Sequence, residues 1–338
     1  MASRRQPRRQ ARQGWRSSSS PGRRPLLWII GAVVVGALVL AVVLLRPGGN
    51  ASTPTEVDRF MHLHGLAAPS WADSRLYIST HSGLIEVDET GQWRLISEER
   101  HDFMGLGHDP DQRDTMYSSG HPAPGSDLPN PIGFMRSDDG GVSWEPVSLQ
   151  GQVDFHVMGI GAADPNVIYG WNASGEAGLY RSTDGGRTWD RPAAAELMSQ
   201  RSVFAIAPDP TDASRVLAGT AAGLWESTDG GESWNERVLG IPVTAVSFAP
   251  GSAMTAVAYI ADGQTGLVQI NDVEAAATST RPLGLVLPPG DAVLYVAGDL
   301  DSGAVYAGTA AASLFRTADG GSTWEQLARE GVRLDVGE

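Results

Sequence analysis

All seven histidines of the chain lie between positions 62 and 156, although the sequence has 338 residues. Three of them stand close to aspartates: His101 directly precedes Asp102, His108 directly precedes Asp109, and His156 follows Asp154 by two positions. Two imidazoles with one carboxylate suit a divalent transition metal, and a histidine beside an aspartate also suits proton transfer. The segment that spans these residues is therefore the first place to look for a site, provided that the fold brings them together.

An eight-residue pattern, Ser/Thr-x-Asp-Gly-Gly-x-Ser/Thr-Trp, occurs four times along the chain. Its aspartates are Asp139, Asp184, Asp229 and Asp319, which are 45, 45 and 90 residues apart. A fixed period in the forties indicates an array of equivalent units. Inside the octet the aspartate can accept backbone N–H groups, the two glycines supply positive φ for a tight turn, and the tryptophan packs beneath it. We therefore interpret the octet as a structural turn.

Short apolar runs separated by Gly, Pro, Asp and Asn follow one another from about Arg59 onward. They show no helical stripe, so this part of the chain is predicted to be all-β. Aligned on the octet, the runs form six units of four strands each, and the last strand of the third unit is placed at 188–192. Six such units around an axis predict a six-bladed β-propeller. A strand-like alternation at 332–336 leaves seven blades as an alternative.

The octet resembles the Asp-box (BNR) repeat, which is found in sialidases, sortilin-type receptors and bacterial propellers that are often called glycosyl hydrolases. The resemblance covers about residues 60–328. It implies that each box joins the third and fourth strands of a blade, on the face away from the ligand site. It also implies that the first strand of each blade begins on the opposite face, and that the loop between the second and third strands returns there. The ligand site is expected on that opposite face.

Six histidines and two aspartates are expected at that face, whereas His108 is expected at the other. The candidate ligand-binding residues are His62, His64, His81, His101, Asp102, His121, Asp154 and His156. When the first three units are superposed on the glycine of each first strand, His62, Asp102 and His156 occupy one equivalent position. These three are therefore the predicted ligands of a divalent metal. The alternatives that stay open are a substrate or peptide site, and imidazoles that only hydrogen-bond the backbone between blades.

The amino terminus has a composition of its own. The first 46 residues contain nine arginines and no acid, and the twenty uncharged residues 26–45 are long enough for one helix across a bilayer. The sequence thus predicts an Arg-rich cytoplasmic tail (1–25), a transmembrane helix (26–45), a flexible linker (46–57), the propeller (58–330) and a C-terminal tail (331–338). Because positive charge stays inside, the propeller is expected outside the cytoplasmic membrane, held by this single span. A cleaved secretory signal is the alternative.

Charge and composition narrow the range of partners. Residues 47–338 carry 16 arginines against 39 acids, which disfavours nucleic acid as a partner. The chain has no cysteine, so disulfides, thiolate metal sites and cysteine nucleophiles are excluded.

The predicted function is that of a membrane-anchored, extracytoplasmic propeller that binds a ligand, a metal or a protein at a His-rich mouth of its central channel. The alternative that the resemblance implies is a sialidase-like glycoside hydrolase acting on extracytoplasmic glycans. That family's Arg-Ile-Pro motif is absent from the sequence, so whether the chain is an enzyme is left open. A glycosidase needs two carboxylates about 5–5.5 Å or about 6.5–9.5 Å apart, and Asp102 and Asp154 are the pair that the alternative would use.

Overall fold

Short antiparallel strands make up nearly all of the regular structure. The computed structural model describes residues 54–69, 75–173, 175–200, 202–248, 255–271, 273, 280–298 and 304–334. All of these residues belong to the unit 48–338, and they form six sheets, each of which is one blade. The prediction of a six-bladed, all-β propeller is confirmed.

The strands of the first three blades carry the candidate site. Blade 1 contains β1 (Thr55–Glu56), β2 (Gly65–Ala67), β3 (Leu76–Thr80), β4 (Gly83–Val87) and β5 (Trp93–Leu95). Blade 2 contains β6 (Asp102–His108), β7 (Met116–His121), β8 (Phe134–Ser137) and β9 (Glu145–Ser148). Blade 3 contains β10 (Phe155–Ile160), β11 (Ile168–Asn172) and β12 (Gly178–Ser182), and a short helix α1 (Ala195–Met198) follows it.

The other three blades complete the ring. Blade 4 contains β13 (Val203–Pro208), β14 (Val216–Thr220), β15 (Gly223–Ser227) and β16 (Asn235–Leu239). Blade 5 contains β17 (Val243–Phe248), β18 (Thr255–Ala261), β19 (Gln264–Ile270) and β20 (Thr280–Pro282). Blade 6 contains β21 (Val293–Gly298), β22 (Val305–Thr309), β23 (Leu314–Thr317), β24 (Glu325–Arg329) and β25 (Val332–Arg333).

The ring closes between blades 6 and 1. The N–H of Phe60 donates to the carbonyl of Gly331 (2.8 Å), and the N–H of Arg333 donates to the carbonyl of Asp58 (2.8 Å). The strand-like alternation near the C-terminus is therefore the outer strand β25 of blade 6, paired with β24, and it does not begin a seventh blade. A hydrophobic core shared by the two blades fills the boundary, and it includes Phe60, Leu63, Trp93, Tyr306 and Leu314.

Two strands differ from their predicted positions. Thr55–Glu56, which the sequence assigns to the linker, pairs with β5 as the outer strand of blade 1. In blade 3 the predicted fourth strand at 188–192 is reduced, within the described residues, to a single bridge between Arg181 and Asp190. Pro192 has no N–H with which to extend that ladder, and the chain turns instead into α1, where Leu197 is buried.

The Asp-box octets form the turns that their sequence predicts. After β12, Asp184 Oδ1 accepts the N–H groups of Arg187 (3.0 Å) and Thr188 (2.8 Å), and the Thr188 hydroxyl donates to Asp184 Oδ2 (2.6 Å). The N–H of Gly186, at a φ of 82° that favours glycine, donates to the Ser182 hydroxyl (2.8 Å). The carboxylates of Asp139, Asp229 and Asp319 accept the equivalent bonds. Each box carboxylate is thus used by its own turn.

The boxes lie at the end of the blades where the first strands finish. The N–H of Gly140 donates to the carbonyl of Asp114 (2.8 Å), and that of Gly185 donates to the carbonyl of Asn166 (3.1 Å). Both acceptors belong to the turn between the first and second strands of their blade. The first strands therefore begin at the opposite face, where Asp102 starts β6.

The predicted membrane anchor at 26–45 lies outside the described residues. Within the described part of the chain, no helix combines the length and the apolar character that crossing a bilayer requires.

Candidate functional site

Two groups of histidine and aspartate side chains lie at the face where the first strands begin. The first triad consists of His64, His81 and Asp102, and the second triad consists of His121, Asp154 and His156. In each triad the donor atoms lie within 4.8 Å of one another. The first triad joins blades 1 and 2, and the second joins blades 2 and 3.

The residues of the first triad lie at the ends of strands β2, β3 and β6. The N–H of His64, directly before β2, donates to the carbonyl of Ser79 (2.9 Å), while His81 follows the end of β3 and Asp102 begins β6. Nδ1 of His81 lies 2.9 Å from Oδ2 of Asp102, and Nε2 of His64 lies 3.9 Å from Oδ1. His64 Nε2 and Asp102 Oδ1 are buried and have no hydrogen-bond partner among the described residues. Buried polar atoms are nearly always bonded, so this pair is available to bind a ligand or an ion.

The second triad is centred on the carboxylate of Asp154. Its Oδ2 lies 2.6 Å from Nε2 of His156 and 3.2 Å from Nε2 of His121. The other ring nitrogen of His121, Nδ1, lies 2.7 Å from Oδ1 of Asn130, and the N–H of Asp154 donates to Oδ1 of Asn172 (3.2 Å). Asp154 is only 9% exposed, and its Oδ1 has no hydrogen-bond partner within the described part of the chain.

The two triads are neighbours at the mouth of the central channel. Asp102 and His121 are partners across the β6–β7 ladder, so one residue of each triad lies in the same pair of strands. His64 and His156 both line a cavity of about 100 Å³ between the first strands of all six blades. Apolar side chains such as Leu66, Met158 and Ile206 also line it.

The surroundings shift the pKa values of the triad residues in different directions. Burial, helped by the neighbouring His81, lowers the pKa of His64 to about 3. The hydrogen bond to Asp154 raises the pKa of His121 to about 9. Burial opposes the ionisation of Asp154, but the hydrogen bonds from His121 and His156 outweigh it and hold the pKa of that carboxyl well below its usual range. At neutral pH His64 is therefore neutral, while the second triad contains a charged imidazolium and a carboxylate.

The structure groups the residues differently from the predicted metal ligands His62, Asp102 and His156. His62 is exposed, and its ring lies edge-on to that of His81 with centroids 5.3 Å apart, but it belongs to neither triad. The predicted combination is therefore corrected: His64 contacts Asp102, and His156 contacts Asp154. Strands β6 and β10 each contain a register shift near their start, so equal spacing from a glycine does not give equal positions in space.

His101 directly precedes Asp102, but its contacts are with its own loop and the neighbouring loop. It is fully buried, its Nδ1 accepts the N–H of Ala123 (2.9 Å), and its Nε2 contacts the carboxylate of Glu99. Burial lowers the pKa of His101, against the influence of Glu99. His108 ends β6, at the other face of the propeller.

Asn130 and Asn172 support the second triad, and the sequence assigned neither of them to it. Asn130 is at the end of the long loop between β7 and β8, and Asn172 is the last residue of β11. Their position in loops or at strand ends on the histidine-bearing face was the available signal. Amide side chains are too common in such loops for that signal to select these two.

One comparison concerns the repeat. The family model of the BNR/Asp-box repeat matches residues 180–191, which contain the octet of blade 3. No curated protein matches the chain by sequence.

Solved structures are similar to the chain in fold. A GH74 xyloglucanase from Xanthomonas campestris has a TM-score of 0.54 and 18% identity, over 81% of this chain and 47% of the xyloglucanase. A GH74 enzyme from Niastella koreensis has a TM-score of 0.55 and 15% identity, over 82% of this chain and 46% of the enzyme. The extracellular domain of a one component system from B. thetaiotaomicron has a TM-score of 0.50 and 12% identity, over 83% of this chain and 35% of that domain.

This chain spans less than half the length of these three proteins, and at such identities the likeness shows the fold alone. The repeat match, the six sheets and these structures together identify the chain as a BNR-type β-propeller.

Proposed function

We propose that the chain is a membrane-anchored, extracytoplasmic binding propeller whose first triad holds a divalent transition metal at the channel mouth. The observation that carries this proposal is the pair of buried, unpartnered atoms, His64 Nε2 and Asp102 Oδ1, beside a second imidazole, His81. Two imidazoles and a carboxylate are ligands that Zn²⁺, Cu²⁺, Ni²⁺ and Fe²⁺ accept.

The spacing of the donor atoms supports the same reading. Ligand atoms about 2.0–2.1 Å from a tetrahedral ion are about 3.4 Å apart. In the first triad each imidazole faces a different oxygen of Asp102, His81 Nδ1 at 2.9 Å from Oδ2 and His64 Nε2 at 3.9 Å from Oδ1, so a small rotation of the carboxylate brings one oxygen within such a distance of both nitrogens. Three protein ligands leave at least one coordination position open, and an open position at the mouth of the channel can accept a donor atom of a glycan or a protein ligand.

A glycoside hydrolase is the weaker alternative for this face. Such an enzyme needs a carboxylic acid whose pKa is raised, so that it can protonate the leaving group. The hydrogen bonds from His121 and His156 lower the pKa of Asp154 instead. Asp154 is therefore unsuited to the role of general acid, and binding accounts better for the arrangement.

Metal content tests the first triad. We expect the chain dialysed against Zn²⁺ and then against metal-free buffer to retain bound zinc, and the His64→Gln/His81→Gln variant to retain one ion fewer. The removal of two of three ligands lowers the affinity by well over about tenfold, because the remaining Asp102 is a single monodentate ligand. Atomic emission spectrometry of the dialysed protein gives the number of ions per chain.

His62→Gln is the matched control, since it removes an exposed imidazole at the same mouth that belongs to neither triad. It is expected to keep the full metal content. The proposal fails if the unaltered chain retains no zinc, or if His62→Gln loses as much as the double variant.

Because the chain has no cysteine, a single introduced cysteine can test on which side of the membrane the propeller lies. A single cysteine at exposed Glu145 (Glu145→Cys) is expected to react with a membrane-impermeant maleimide in cells whose cytoplasmic membrane is intact. The control variant Ser17→Cys, in the Arg-rich tail, is expected to react only after that membrane is opened, because positive charge stays inside. Protection of Glu145→Cys in intact cells, or its appearance in the soluble fraction, would contradict the anchored, extracytoplasmic arrangement.

A further inference from the structure

We infer that the second triad is also a transition-metal site, so that the channel mouth holds two ions rather than one. The second triad has no residue in common with the first, and this inference extends the proposed function without depending on the first ion. His121, Asp154 and His156 offer two imidazole nitrogens and a carboxylate oxygen that converge on one point.

Burial gives the first independent support. Asp154 is only 9% exposed, and its Oδ1 has no hydrogen-bond partner within the residues described. Both imidazoles approach the other oxygen, Oδ2. A buried carboxylate oxygen without a partner is rare, so Oδ1 adds a donor atom that an ion beside Oδ2 can also use.

The groups around the triad give the second independent support for a metal site. A histidine that binds a metal usually has its other ring nitrogen fixed by a hydrogen bond, which sets the tautomer and the ring orientation. Nδ1 of His121 is held in this way by Oδ1 of Asn130 (2.7 Å). The backbone of Asp154 is fixed as well, by the side chain of Asn172 at the end of β11 (3.2 Å).

Little movement is needed for the triad to receive an ion. Its nitrogen–oxygen distances of 2.6 and 3.2 Å are those of hydrogen bonds, and they need to widen only to about 3.4 Å around a tetrahedral ion. His121 is half-exposed at the end of β7, so its ring can move by this amount without displacing the core. The cavity lined by His64 and His156 would then lie beside both ions, and a single ligand at the mouth could contact both.

The test is zinc stoichiometry in the whole chain after equilibrium dialysis. We expect two ions per chain in the unaltered protein, one in His121→Gln/His156→Gln, one in His64→Gln/His81→Gln, none when all four are replaced, and two in His62→Gln. Suppose that the unaltered chain binds one ion, which is lost in His64→Gln/His81→Gln and kept in His121→Gln/His156→Gln. This result overturns the inference of a second site and leaves the proposed function intact. One ion with the opposite pattern supports this inference and overturns the first site. No bound ion overturns both.

A second measurement covers the case in which a double variant does not fold. Asp154→Asn keeps the volume of the side chain and an accepting oxygen but loses the charge that pairs with His121, so it is expected to unfold at a lower temperature while keeping its fold, which circular dichroism checks. In the His64→Gln/His81→Gln background, Co²⁺ at the second triad is expected to give visible d–d absorption of a nitrogen- and oxygen-bound ion. Asp154→Asn is expected to abolish that absorption, and its persistence would overturn the assignment of Asp154 as a ligand.

Discussion

Replacement of Trp93 by alanine is expected to lower the free energy of unfolding by about 3–5 kcal/mol, the usual cost of deleting a fully buried aromatic side chain. Trp93 is 2% exposed and stacks on Phe60, with ring centroids 5.6 Å apart. Both rings belong to the core that joins blade 1 to blade 6. The substitution therefore leaves a cavity at the boundary where the ring of blades closes, and chemical denaturation followed by circular dichroism measures the loss.

Trp225→Ala is the matched control for this prediction. Trp225 is only half-buried in β15 of blade 4, so its replacement is expected to cost less than about 3 kcal/mol. Equal losses for the two variants would show that the closing boundary is no more tightly packed than a single blade. Trp93→Phe is expected to recover part of the stability, because it keeps an aromatic ring against Phe60.

Acid is expected to destabilise the propeller between about pH 4 and pH 2, in part through the Asp boxes, whose exposed carboxylates each contribute modestly. The hydrogen bond from the Thr188 hydroxyl lowers the pKa of Asp184 from its ordinary 3.8 to about 2, and the hydroxyl of Thr323 lowers the pKa of Asp319 likewise to about 2. Because the folded pKa lies below the unfolded one, the unfolded chain takes up protons first as the pH falls. This stability is complete above about pH 4 and is lost as the pH falls through about 2. The midpoint of thermal unfolding, measured against pH at constant ionic strength, reports the loss.

Asp184→Asn/Asp319→Asn provides the comparison. Asparagine keeps the size of the side chain and one accepting oxygen but has no proton to gain. The variant is expected to be less stable than the unaltered chain at neutral pH, because one oxygen cannot accept all the bonds that the carboxylate accepts. Its unfolding midpoint is also expected to depend less on pH between about 4 and 2. An equally steep decline in the variant would assign the acid sensitivity to other carboxyls.

The chemistry of the mouth follows from where polar groups lack partners. Among the described residues, two buried atoms of the first triad, His64 Nε2 and Asp102 Oδ1, have no hydrogen-bond partner. In the second triad the same is true of one oxygen of Asp154. Isolated buried polar atoms of other described residues also lack partners, Tyr169 Oη and Arg316 Nε among them, but within the described part of the chain only the two triads group such atoms with imidazoles and carboxylates. The grouping of these atoms, rather than the lack of a partner alone, distinguishes the mouth from the rest of the described residues.

Local sequence was enough to predict the repeating part of this fold. An Asp-box turn is made by residues within eight positions of one another, so Asp184, Thr188 and the glycines between them specify its hydrogen bonds wherever the octet occurs. The apolar runs, aligned on the octets, then gave the blade number. The charge-free stretch at 26–45 likewise predicted an anchor by its composition, and that prediction still stands to be tested.

Tertiary structure alone decided which imidazoles meet. His64 reaches Asp102 and His121 reaches Asp154 across blade boundaries, and those contacts depend on register shifts at the starts of β6 and β10. A shift of one residue reverses the direction of a side chain, and no local signal reports it. The sequence could therefore place the histidines at one mouth of the channel, but the packing of neighbouring blades divided them into two triads and left His62 outside both.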